Sequence, residues 1–190
     1  DGNADWARLA NRSIARYGDI KRESGVEFYG EVGCLIVGKQ RGTGFPYIEN
    51  VCGAASKLGV ETEIFDDVAL AHQFPYFSFE GGCEGVFEKN NAGWINPRAL
   101  VRAQIVAAEK RGVTRIDDVV VSVREESGGA VVTTASGDIY TADRVLVAAG
   151  GFSIAEGLLP QALQMEVYAR TVAFFEISDD ELPRYAGMPS

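Results

Sequence analysis

The chain has one histidine, His72, two methionines and three cysteines. No nucleophile sits at a recognisable spacing from His72, so a hydrolase triad is not suggested. Cys34, Cys52 and Cys83 are too few and too scattered for a disulfide framework or a zinc site. They read as reduced thiols of a cytoplasmic protein, and no metal is expected. Basic residues are scarce: 18 against 27 acidic, a formal net charge of −9. That balance disfavours nucleic acid or an anionic membrane as partner. No apolar run approaches the length of a membrane span. No signal peptide, internal repeat or low-complexity segment is visible. The chain starts at Asp1 rather than Met and ends in an irregular stretch over 185–190. Both ends read as cuts, so an excised piece is expected.

What is present is ordinary for a globular α/β chain. It has 190 residues, 46% of them hydrophobic, enough for one domain with a sizeable core. A basic helix is expected over 5–23, with Trp6, Ala10, Ser13, Tyr17 and Ile20 on one stripe. Its arginines read as a solvated face rather than an anion site. A strand is expected over 27–38, weakened or bulged at Gly30 and Gly33. Gly42-Thr43-Gly44 lacks the context of a phosphate loop. A helix over 47–58, a strand over 61–65 and a helix over 68–73 capped by Asp66 or Asp67 follow. Residues 85–88 read as an edge strand.

The chain is organised around residues 93–152. Asn96-Pro97 starts a helix, because Asn caps free N–H groups and Pro suits the first turn. Val101, Ile105 and Ala108 mark its apolar face. Strands are expected over 119–123, 130–134 and 138–141, the last two joined through Ser136-Gly137. The apolar run 144–149 suits a strand buried on both faces, as in a parallel sheet. Residues 164–177 read as a further long strand.

Gly93-Trp-Ile-Asn-Pro97 and Tyr140-Thr-Ala-Asp-Arg-Val-Leu-Val-Ala-Ala-Gly-Gly-Phe152 carry a resemblance. In that order of features, the chain resembles the FAD-dependent amine and amino-acid oxidases, the family of sarcosine oxidase and D-amino-acid oxidase. The resemblance implies a partial three-layer FAD-binding domain plus part of a mixed-sheet substrate domain. Residues 1–91 would be shared between the two, 92–159 would be the second half of the flavin domain, and 160–190 would return to the substrate sheet. It also implies that Val120, with Val121 as the register alternative, lends backbone groups to the adenine side of FAD. Ala148, Ala149 and Gly150 would lie near the diphosphate and ribose, where small residues let the backbone come close.

The family's G-x-G-x-x-G loop is absent from this sequence. FAD is therefore expected in a full-length relative and not in this chain alone. No catalytic residue is assigned. The substrate implied is a small amine or amino acid, oxidised at its C–N group. Two alternatives stand: a non-catalytic binding or scaffold domain, and a subunit that completes its flavin site with another chain. Self-association through exposed sheet edges is expected.

Overall fold

The structure is a computed structural model that describes residues 4–190. Asp1, where the sequence suggests a cut, lies outside the described residues. The chain divides into two compact units, residues 1–113 with 176–190, and residues 114–175.

Among the described residues the first unit holds four α-helices, five strands and a 3-10 turn over Leu182–Tyr185: α1 (Ala4–Ser24), β1 (Tyr29–Gly30), β2 (Cys34–Lys39), α2 (Tyr47–Leu58), β3 (Glu63–Asp66), α3 (Asp67–Gln73), β4 (Cys83–Glu88), β5 (Trp94–Ile95) and α4 (Pro97–Glu109). The expected strand over 27–38 is two strands. Gly33 has φ +81°, a left-handed turn that only glycine adopts without cost, and it separates β1 from β2. β1 pairs with β5, and β2, β4 and β3 form an antiparallel sheet in that order.

β4 was expected at an edge, yet it is the central strand. Its glycine explains the position. A Cβ on Gly85 would sit 2.6 Å from a methyl of Leu70, so the bare backbone lets α3 seat against the sheet. Leu70 and Phe74 are buried there, and Phe74 meets Phe65 and Phe87 edge-to-face at 5.5 and 5.2 Å. On the sheet's other face, Gly38 leaves room for the fully buried Ile48 of α2.

α1 and α4 enclose a second cluster of Ile20, Phe28 and Ala103, with Tyr17, Tyr29, Ile95 and Leu100 around it. Burying a side chain such as Phe28 contributes about 1.5–3 kcal/mol. The buried face of α4 is Ala103 and Ala107, not the expected Val101 stripe, and Val101 is exposed. Ala103 lets α4 approach Ile20 and Phe28 closely, and a larger side chain there would hold the helix off. The start of α4 follows expectation: the Asn96 side chain accepts from Ala99 N at 3.0 Å. Likewise Asp66 caps α3 through Ala69 N at 2.8 Å.

The basic face of α1 is laced with ion pairs. Arg8 pairs with Asp5, and Arg16 and Arg22 both pair with Asp19. Arg8, Arg16 and Arg22 thus each have a carboxylate beside them on an exposed face. The lone G-x-G is no anion site either, since Gly42 N donates to the Glu49 carboxylate at 2.8 Å. Arg41 makes a two-pronged pair with Glu84 of β4 at 2.8 and 2.7 Å. Glu84 is buried, and this guanidinium holds its carboxyl below the usual range.

The second unit is a three-stranded antiparallel sheet of β6 (Val120–Glu126), β7 (Gly129–Thr134) and β8 (Ile139–Ala142), in chain order. A one-turn 3-10 helix follows over Gly150–Ile154. Two strands expected from the sequence are not formed. Residues 144–149 carry no strand, and Leu146 is 89% exposed. Residues 164–177 are likewise irregular and exposed. A strand needs a ladder partner for its N–H and C=O groups. Among the described residues neither segment has one.

Candidate functional site

The second unit contains an apolar cleft of about 550 Å3. One wall is the β6–β7 surface, with Val119, Val120, Val123 and Val132. The other is the stretch from Val145 to Ala149, closed by Phe152 and Leu158. The volume suits a small organic ligand. No charged or hydroxyl-bearing side chain lines it.

Three of the five residues expected at a cofactor site meet in this cleft: Val120, Ala148 and Ala149. Val121 and Gly150 do not line it. The reason for Val121 is a register shift. Val120 pairs with Thr134 and Ser122 with Thr133, so Val121 is the extra residue of a β-bulge. A bulge turns the side chain away and leaves that residue out of the ladder. β6 is also an edge strand, and the Gly157 segment covers part of its outer side, where Val123 N donates to Gly157 O at 2.8 Å. Gly150 opens the 3-10 helix with φ +55°. A Cβ built there would meet nothing within 4 Å, so a ligand could approach its backbone. Gly151 is tighter, with a Cβ position 3.2 Å from Val167.

The β6 entrance is braced by Asp118. Its carboxylate accepts from Val119 N at 2.7 Å and from the Ser136 hydroxyl in the β7–β8 turn. Hydrogen bonds from Ser136, then Thr134, then Val119 N pull its pKa down to about 2. Sequence reasoning passed over Asp118. The signal was present as Asp117-Asp118 before the strand and Ser136-Gly137 in the turn, but their meeting depends on strand register.

Fit to a flavin is partial. The apolar walls and open backbone suit a flat heteroaromatic group such as adenine. The lining offers no side chain for a diphosphate. Among the described residues no cluster could hold a metal ion, and no helix is long and apolar enough to cross a membrane. A second cleft of about 530 Å3, in the first unit, is lined by Phe65, Phe74, Phe87, Glu63 and Lys89. It holds none of the residues expected from the sequence.

Comparison with known proteins follows the same line. The family described as FAD dependent oxidoreductase matches residues 1–189. Monomeric sarcosine oxidase from Bacillus sp. (strain B-0618) is 23% identical over 183 residues, covering 93% of this chain and 45% of that protein. Peroxisomal sarcosine oxidase from Mus musculus is 24% identical over 145 residues, covering 76% of this chain and 36% of that protein. The chain thus spans less than half the length of these relatives. In structure it is similar to a variant of NikD in its open form, titled an unusual amino acid oxidase essential for nikkomycin biosynthesis. That likeness has a TM-score of 0.64 at 21% identity, over 80% of this chain and 39% of the other.

Proposed function

The chain belongs to the FAD dependent oxidoreductase family, and on that premise we propose that it serves an enzyme oxidising the C–N group of a small amine or amino acid. The names of the sarcosine oxidase relatives support that substrate class. FAD, when bound, supplies the hydride-accepting chemistry. This chain's part is to hold and orient. Val120, or Val121 in the alternative register, offers backbone groups to the adenine end. Ala148, Ala149 and Gly150 keep the backbone open beside the ribose and diphosphate. The observation that carries this reading is the convergence of Val120, Ala148 and Ala149 on one cleft.

The chain by itself is inactive and binds FAD without useful affinity. An all-apolar lining leaves a doubly charged diphosphate unpaired, which is costly away from water. The same lining supports a second reading, in which another chain completes the site. A binding domain that kept the fold without the flavin is the third. The three unpaired cysteines suit a reducing, cytoplasmic setting. The exposed edge of β8 favours self-association.

Titration with FAD, followed by flavin fluorescence and visible absorbance, tests the reading. No tight binding is expected, and no hydrogen peroxide should appear with sarcosine or glycine as substrate. At high FAD, amide NMR signals of Val120, Ala148, Ala149 and Gly150 should move. If those signals stay still while others shift, the contact assignment is wrong. Tight binding by the chain would move the two-chain reading to first place.

A further inference from the structure

The outer edge of β6 is closed along part of its length and open at one residue. Thr134 N donates to Asp138 O at 3.0 Å, on the β8 side of β7. In an antiparallel ladder successive residues turn their N–H and C=O groups to opposite sides. Val120, the register partner of Thr134, therefore points its own pair away from β7, to the outer edge. The bond from Ala135 N to Val119 O at 2.8 Å keeps the same alternation one residue earlier. Past the bulge Val123 also faces outward, and its N–H donates to Gly157 O at 2.8 Å.

Glycine at position 157 makes this closure possible. Its φ is +87°, a left-handed conformation that glycine adopts without cost. A Cβ there would lie 2.9 Å from Val121 O. The next residue, Leu158, is buried in the lining of the apolar cleft and anchors the segment. Gly157 thus lies against both Val121 and Val123. On the other side of Val120, the Asp118 carboxylate takes up Val119 N at 2.7 Å. Val120 lies between these two closures, exposed, and among the described residues no backbone bond from another segment reaches it. What is left is one donor–acceptor pair at the mouth of the cleft. That is too little for a further strand to pair with, and it matches the polar edge of a flat heteroaromatic ring.

We propose that Gly157 is a positioning residue for the adenine contact. It closes the outer edge of β6 over Val121 and Val123 and leaves the Val120 N–H and C=O as the open pair. The inference rests on the reading of this strand as the adenine contact, and it selects Val120 over the Val121 register.

Amide NMR of the full chain, titrated with FAD to high concentration, tests it. The Val120 signal should move in the unaltered chain. In Gly157→Ala the FAD concentration needed for that movement should rise several-fold, and the Val123 amide should lose its protection from hydrogen exchange. Gly128→Ala is the comparison: it strains a glycine of φ +93° in the β6–β7 turn, where a Cβ meets nothing within 4 Å. It should leave the Val120 response unchanged. An unaltered response in Gly157→Ala would overturn the role of Gly157 while the contact stands. Equal weakening in both variants would also overturn it, because general strain would then be the cause. A Val120 signal that stays still in the unaltered chain would remove the contact reading and this inference with it. If Gly157→Ala fails to fold, hydrogen exchange in the unaltered chain decides. Val123 should exchange more slowly than Val120, and equal protection of the two would refute the closure.

Discussion

At the scale of single residues, short polar side chains fix the turns and strand ends around the candidate site. Asp118 ties the start of β6 to the β7–β8 turn, and its pKa falls to about 2 because Ser136, Thr134 and Val119 N bond its ionised form. The linkage sign follows. The folded value lies below the unfolded one of 3.8. Asp118 therefore stabilises the fold above pH 3.8, and that contribution fades as pH falls towards 2. Asp118→Asn should melt at lower temperature than the parent at pH 6. The gap between the two melting curves should close as acid is added to about pH 2. A gap independent of pH would mean that Asp118 acts through shape and not charge.

At the scale of elements, glycines decide which strand sits in the middle of the first unit's sheet. Composition would place a strand with Gly85 at an edge, since glycine packs nothing. The structure makes β4 central because α3 needs that missing side chain to reach the sheet. Gly85→Ala would drive a Cβ into the fully buried Leu70 and should destabilise by about 1–3 kcal/mol, read by urea unfolding. A neutral substitution would show that Leu70 can repack, and would remove this explanation of strand order. The helices were legible in sequence because their signals are local. Asn96-Pro97 and Asp66 cap as their side chains predict. The packed face of α4 was not legible, because small alanines are weak markers of burial compared with Val101 and Ile105.

At the scale of the whole molecule, the chain carries apolar segments that its own described residues do not cover. Leu146, Phe174 and Phe175 are 89%, 92% and 86% exposed. Large exposed apolar side chains and open strand edges mark surfaces that meet other protein. In light scattering the chain should run as a dimer or larger, and Leu146→Lys with Phe175→Lys should shift it towards monomer. A monodisperse monomer from the unaltered chain would refute the self-association proposal. Two expected strands failed for the same reason. The runs at 144–149 and 164–177 have the residue pattern of strands but no neighbour to pair with. The candidate site stayed partly legible despite this, because Val120, Ala148 and Ala149 need only lie on facing walls.

The sequence by itself determined the helices, their caps, the hairpin of β7 and β8, and the absence of metal-site or triad patterns. These depend on side-chain periodicity and on bonds within a few residues. It also carried the family resemblance, which rests on residue order rather than on contacts. Only the tertiary structure decided which strand is central, which face of α4 is buried, and that Val121 is bulged out. Each depends on register and packing between segments far apart in the chain, where a one-residue shift reverses which side chains meet.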